Sequence, residues 1–425
     1  MKEAHPPYKD ITNSETFTKA IELLNYEIAT AQVKVMAAAN AQLLLHYWKM
    51  GLYILEIQKK SGWGAKVISK LSDAIRKSNP NKKGYSTRNL TYMCQFAKLY
   101  PLNIIQLLSA REAEMSIPDT KAILQTAKEI EEIEFAQEVP AQIGTTTSIT
   151  QEVPAQIEEI FLKSPIARTN WASHQVLMDS KLSLGIRFWY MLGCPNFGWS
   201  SNILDLQIKS GLFQRQILAK KHTSFQRTLP KPQSDLANYL LKDPYIFDIT
   251  ESQKAMDERD IENQLVTHVT NYLLEMGNGF SFVARQKHFE IGGEDFFADL
   301  ILYNIKLHAY VVIELKARKF KPGDAAQLNF YMNVVNDKLK GEGDNDTIGI
   351  VLCQGKSEIM ADYVLKGYNQ PIGISDYQMS KAIPEELKST LPTIEDIERE
   401  LSELQTDKKS LHQKKKNERT ITPCI

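Results

Sequence analysis

The sequence predicts an α+β protein, with an all-helical amino-terminal region followed by a carboxy-terminal mixed α/β core. Three observations carry this assignment. Apolar residues recur at helical spacing from about Ser14 onward, with little strand signal. Beyond about Asp257 the pattern changes to short runs of strand length separated by turn residues, Gly292-Gly293 among them. Within those runs three charged residues, Asp299, Glu314 and Lys316, stand where strands normally carry hydrophobic side chains.

The breaks divide the chain into a helical domain over 12–132, a linker over 133–165 and a second helical segment over 166–229. A boundary over 230–256, the α/β domain over 257–380 and a tail over 381–425 complete it. The first helix runs from about Ser14 to Gln58 through Ile21, Leu24, Ile28, Val35, Leu44, Tyr47 and Trp48. After Gly62-Trp63-Gly64 a second carries Val67, Ile68, Leu71 and Ile75, and Asn79-Pro80 and Gly84 break it. Ser86 is placed to cap a third helix through Leu90, Met93, Phe96 and Leu99, which Pro101 ends. This order suggests a helix-turn-helix whose Thr87, Arg88, Asn89 and Thr91 would meet a nucleic acid. An ordinary helical bundle has the same periodicity.

The heptapeptide QEVPAQI occurs at Gln137 to Ile143 and again at Gln151 to Ile157, a local tandem duplication in an irregular linker. A further helix starts near Trp171 and carries Val176, Leu177, Leu182, Ile186 and Trp189. Gly198-Trp199-Ser200-Ser201 opens the next, and Pro230, Pro232 and Pro244 mark the boundary before the α/β domain.

At 425 residues the chain is longer than one typical domain. Lys and Arg total 51 and so do Asp and Glu, so any nucleic-acid surface is a local patch rather than a global basic excess. Cys94, Cys194, Cys353 and Cys424 form no CxxC pair, which argues against a zinc site or disulfide framework and fits a reducing cytoplasm. The start MKEAHPPYKD lacks the apolar core of a signal peptide. The most apolar stretch, Met36 to Leu55, is interrupted by Asn40, Gln42, His46 and Lys49; it reads as a buried helix and not a membrane span. His174 and His222 are isolated and read as structural residues rather than metal ligands.

In the last domain a helix through Ile261, Leu265, Val269, Tyr272 and Leu273 stops at Gly277 and Gly279. Strands follow at Phe280 to Ile291, Phe296 to Tyr303 and Ala309 to Lys316. A helix from Gly323 to Val335, a strand from Ile348 to Cys353, a short helix through Ala361 and Val364 and a strand at Ile372 to Ile374 complete an αβββαβ order with one further helix and strand. Hairpins followed by a crossover helix imply a mixed sheet with helices on its faces. Alternation puts Glu314 and Lys316 on one strand face with Tyr310 and Val312. Two carboxylates converging beside a lysine suit a hard divalent metal and an activated water, the requirements of phosphodiester hydrolysis. Magnesium, with manganese as a substitute, takes few carboxylates and several waters, so Asp299 and Glu314 are candidate direct ligands. Lys316 would orient or help deprotonate the attacking water.

The strings FSFVARQKHFEIGG, ADLILYN, VVIELKARKFKPGDAAQLNFYMNVVND, TIGIVLCQGKSEIMADYVL and PIGISDY resemble the YhcG family of the PD-(D/E)xK nuclease superfamily. GWGAKVISKLSDAIRK, GYSTRNLTYMCQFAKLYP and the segment from Trp171 to Ile208 extend the likeness over most of the chain. The resemblance implies a restriction-endonuclease-like core and a metal-dependent endonuclease acting on DNA, with the helical region selecting substrate or assembling subunits. It adds the main-chain carbonyl of Leu315 as a ligand, Glu262 as an acidic residue near the metal and Gln327 as a glutamine bordering the site. A plain solvated place on a helix surface accounts for Glu262 and for Gln327 as well as a role at the site does, because both residue types are common there. Ala298 stands where the superfamily usually has proline.

Arg285, Arg318, Lys319 and Lys321 are the basic residues nearest the site, with Tyr331 as a stacking surface for a base. An amphipathic segment with Ile394, Ile397, Leu401 and Leu404 precedes a basic tail at Asp407 to Arg419. The alternatives are a catalytically inactive nucleic-acid-binding or scaffolding protein, and an RNA nuclease. Cutting both strands of a duplex would favour a homo-oligomer, with the long first helix as its interface.

Overall fold

A computed structural model describes residues 15–61, 66–138, 155–247, 275–277 and 279–379. They fall into two compact units, one within residues 1–113 and 130–195, the other within 114–129 and 196–425.

The first unit is helical, as its periodicity requires. It holds α1 (Glu15–Ser61), α2 (Lys66–Ser78) and α3 (Thr87–Leu99), and, beyond α4 (Leu102–Ser116) and α5 (Thr120–Glu138), α6 (Ala155–Lys163), α7 (Pro165–Arg168) and α8 (Trp171–Asp179). Ser86 caps α3 by accepting a bond from the Asn89 amide at 3.2 Å. Leu44, Tyr47, Trp48 and Ile54 of α1 are buried, as are Leu90, Met93 and Phe96 of α3. Close approach of the two helices depends on Gly51, where a Cβ would lie 2.0 Å from the Met93 carbonyl oxygen. His174 is fully buried with Nε2 2.9 Å from the Ile166 carbonyl, and desolvation lowers its pKa to about 4.

Two expectations change here. Burial of α1 begins only at Leu44, because Val35, Met36 and Leu43 are exposed; by length and composition alone, Phe17–Lys60 is long and apolar enough to cross a membrane. The expected linker over 133–165 is cut back from both ends, since α5 continues to Glu138 and α6 starts at Ala155. Most of the duplicated heptapeptide and the Gly62-Trp63-Gly64 turn lie outside the described residues.

The chain passes from the first unit to the second within α9 (Leu184–Phe197). The second unit continues with α10 (Ser201–Lys209), a π-helical turn at Gln214–Leu218, β1 (His222–Thr223), α11 (Phe225–Thr228), α12 (Gln233–Leu240) and β2 (Tyr245–Phe247). Then come β3 (Phe280–Ile291), β4 (Glu294–Asn304), β5 (Ala309–Lys316), α13 (Pro322–Lys338), β6 (Ile348–Cys353), α14 (Glu358–Lys366) and β7 (Ile372–Met379). The sheet order is β1-β7-β6-β5-β4-β3. Neighbours are antiparallel from β3 to β5 and parallel from β5 to β7, which is the expected mixed sheet. Leu328, Met332 and Val335 of α13 share one buried cluster with Val312 of β5, Val351 of β6 and Ile374 of β7.

The segment expected over 166–229 does not form one helical piece, and 230–256 is not merely a boundary. From Asn196 the chain belongs with the sheet, since β1 pairs antiparallel and β2 parallel with β7. Buried ion pairs hold this addition in place. Arg215 and Lys242 both meet Glu275, and Lys356 meets Asp243 at 2.6 Å. The helix expected through Ile261 to Leu273 and the tail beyond 380 lie outside the described residues.

Candidate active site

Antiparallel pairing of β3, β4 and β5 places three residues side by side. The register Leu300↔Ile313 sets Asp299 of β4 opposite Glu314 of β5. Asp299 is 9% exposed, Glu314 0% and Lys316 6%, so the carboxylates and the ammonium that stood out in the strand pattern are all removed from water. Lys316 Nζ lies 2.7 Å from Glu314 Oε1. Asp299 Oδ2 accepts from the Leu315 amide at 3.0 Å. Because N–H and C=O of a strand residue leave on the same edge, the Leu315 carbonyl faces the Asp299 side as well.

The second oxygen of Glu314, Oε2, is buried without a hydrogen-bond partner. Burial, and after it the neighbouring Asp299 charge, raise the Glu314 pKa well above the carboxylate range against the opposing pull of Lys316. A carboxylate whose charged form is disfavoured by burial and by the Asp299 charge, with one oxygen unpartnered, is what a hard oxygen-seeking cation would relieve. The donor set, two carboxylates and a main-chain carbonyl, fits such a cation. Among the described residues no cluster of three or more His, Cys, Asp or Glu could hold a metal. Glu262, the third acidic candidate, lies outside the described residues.

Gln327 is exposed on α13 and hydrogen-bonds Tyr331, whose hydroxyl feels both carboxylates. Burial chiefly raises the Tyr331 pKa, and Glu314 and Asp299 add to it. Tyr331 itself is only 5% exposed, so it offers no stacking platform; it packs α13 over the site.

One residue absent from the sequence-based set touches the site directly. Gln286 of β3 donates from Nε2 to Asp299 Oδ1 at 3.1 Å. The ladder pairs Arg285 with Leu300 and Lys287 with Ala298, so Gln286 lies opposite Asp299; its φ of 43° is left-handed, unusual for a side-chain-bearing residue. Nothing in the alternation of β3 signals this, because backbone handedness leaves no trace in hydrophobic pattern.

The basic candidates separate. Lys319 and Lys321 are exposed and, among the described residues, make no ion pair; Arg285 is half-buried on β3. Arg318 instead forks onto Asp324, with Nη1 to Oδ2 at 2.9 Å and Nη2 to Oδ1 at 2.7 Å. Asp324 also accepts from the Lys321 amide at 2.8 Å, so Arg318 locks the start of α13 instead of standing free for phosphate. Asn89 is likewise an internal brace. Its amide donates to the Gly84 carbonyl, and its oxygen accepts from Trp171 Nε1 at 2.7 Å and from Gln175. Arg88 remains exposed, with its guanidinium over the Tyr92 ring at 5.6 Å.

Residues 238–392 match the YhcG PDDEXK nuclease domain, and residues 24–151 the DUF1016 N-terminal domain. The Escherichia coli (strain K12) protein named "Putative nuclease YhcG" is 26% identical over 379 residues, 87% of this chain and 93% of that protein. Two solved structures align over 32% of this chain at a TM-score of 0.22: a repair endonuclease from Pyrococcus abyssi (18% identity) and EndoMS in a complex with dsDNA (16%). The aligned part spans half the length of each of those chains.

Proposed function

We propose, for a chain that belongs to the YhcG family of PDDEXK nucleases, a metal-dependent endonuclease that hydrolyses phosphodiester bonds in DNA. One observation carries this reading above the others: Asp299, Glu314 and Lys316 converge out of water while Glu314 Oε2 is unpartnered. Asp299, Glu314 and the Leu315 carbonyl would hold the ion, magnesium or manganese in its place. When bound, such an ion neutralises phosphate charge and makes a water nucleophilic near neutral pH.

The chain's own groups do the rest. Gln286 and the Leu315 amide fix the two oxygens of Asp299 by hydrogen bonds, so the carboxylate enters the reaction already oriented. Lys316 Nζ, held by Glu314, would orient the attacking water, or in its neutral form take that water's proton, as the new phosphorus–oxygen bond forms and the bond from phosphorus to the leaving oxygen breaks. Lys319 and Lys321, exposed and close in sequence to Lys316, are the cations assigned to the flanking phosphates. The helical region is assigned to substrate selection or subunit assembly, the exposed apolar length of α1 favouring a homo-oligomer. Scattered buried thiols at Cys94, Cys194 and Cys353 favour a cytoplasmic setting.

The test is to incubate the protein with duplex, branched and single-stranded DNA and with RNA, in magnesium and in chelator. Asp299→Ala and Lys316→Ala are expected to lose about 10² to 10⁴-fold in cleavage rate. Full activity in either variant overturns the assignment, and cleavage of RNA alone replaces the substrate.

A further inference from the structure

The exposed break between α2 and α3 concentrates positive charge on a chain whose net charge is zero. Arg76 and Lys77 at the end of α2 and Lys82 and Lys83 in the break line a surface groove of about 630 Å³, with Asp73 the one carboxylate among its lining residues. All four cations are exposed, and among the described residues none of them forms an ion pair. The bland reading, solvated lysines on a mobile loop, fits poorly with how firmly this loop is tied down.

Ser72 Oγ donates to the Tyr85 carbonyl at 2.8 Å, the Lys82 amide bonds the Asn79 carbonyl at 3.1 Å, and Asn89 holds the Gly84 carbonyl. The Tyr85 hydroxyl lies 3.0 Å from His46 Nε2. Gly84 sits at φ 102°, a turn that other residues enter only under strain. The groove's charge reaches its neighbours: burial first, then Lys49 and Lys82, lower the His46 pKa. A framed row of unneutralised cations facing water is the arrangement that a polyanion backbone satisfies, each contact releasing a condensed counterion. It also accounts for Asn89, whose side chain braces the loop rather than reading a base.

We infer that this groove binds the sugar–phosphate backbone of the DNA that the nuclease domain cuts, through Arg76, Lys77, Lys82 and Lys83. The inference rests on the proposed function for the identity of the polyanion, and the experiment separates the two. The full chain carrying Asp299→Ala is titrated in chelator against a short labelled DNA duplex, and against the same sequence as RNA, by fluorescence anisotropy over a salt series. It is compared with the same chain also carrying Arg76→Gln, Lys77→Gln, Lys82→Gln and Lys83→Gln, and with a Lys77→Arg, Lys82→Arg, Lys83→Arg control.

The glutamine set is expected to weaken duplex DNA binding at least about tenfold, equally for unrelated sequences. It should also reduce the slope of log K against log salt by about 0.9 for each lost phosphate contact. The arginine control should bind like the parent. Unfolding midpoints should match throughout, since all four side chains are exposed. An unchanged affinity and slope overturn the inference, as does a parent that binds no DNA or a loss confined to RNA. Because binding is read without metal in a cleavage-silent chain, absence of cleavage by the wild type would remove the nuclease reading and leave this result standing.

Discussion

At the scale of single residues, the site holds two conflicts with ordinary stability that point to its use. Gln286 keeps a left-handed backbone beside Asp299, and such a residue costs about 1–2 kcal/mol relative to glycine. Gln286→Gly is therefore expected to leave the melting temperature equal or higher while lowering activity and metal affinity by about 10 to 100-fold, the usual effect of losing a group that orients a ligand. Calorimetric metal titration with thermal melts checks it; a variant that melts lower and retains metal affinity would make Gln286 a folding residue only. Glu314 is the second conflict. Its folded pKa is raised, so the folded state holds a proton that the unfolded state releases near pH 4.3. Metal-free protein should then be most favoured, in this respect, below that pH and lose stability as pH rises through the raised value, by at most about 1.4 kcal/mol per unit. Urea midpoints measured across pH in chelator should show this slope, and Glu314→Gln should flatten it. Both carboxylates and the lysine were legible in the sequence because charge inside an apolar strand run is visible in one dimension. Gln286 was not, since its role depends on register and on φ.

Among the elements, α13 connects sheet packing to the site. It is seated on β6 through Gly349, where an added Cβ would lie 2.4 Å from Met332 Sδ and 2.8 Å from Leu328 Cδ2. Gly349→Ala is expected to cost about 1–3 kcal/mol by overpacking and to shift α13, carrying Tyr331 and Gln327 away from the carboxylates. Activity should fall although no site residue has changed. Adding Leu328→Ala makes room, so the double variant should recover part of both losses in melting and cleavage assays; additive losses would show that the glycine serves something other than this contact. The helix was legible from its periodicity, within three residues at its end. Its dependence on one glycine was not, because a sequence does not state which residue of β6 faces which turn of α13. The same applies to Arg318, read as a free cation until Asp324 is seen folded back onto it.

At the scale of the molecule, the nuclease sheet begins earlier in the chain than its motifs suggest. β1 and β2 are two and three residues long, too short for any alternation to register, and they flank the prolines that read as boundary, β1 ahead of Pro230 and β2 directly after Pro244. Yet both pair with β7, and the segment that carries them supplies Arg215 and Lys242 to Glu275 and Asp243 to Lys356. A chain beginning at residue 257 would expose the edge of β7, take Arg215 and Lys242 from Glu275, and leave Lys356 only Asp376 at 3.3 Å. Removing one member of a buried ion pair costs about 3–5 kcal/mol, and loss of Arg215, Lys242 and Asp243 breaks three such pairs, enough to exhaust a typical domain's stability. A chain beginning at Asn196 keeps all three pairs and both strands. Produced with the same carboxy terminus, the longer fragment should unfold cooperatively in urea and the shorter one should lack a cooperative transition or aggregate through its open edge. Equal cooperative unfolding of the two would mean that β1, β2 and their ion pairs decorate the sheet without completing it.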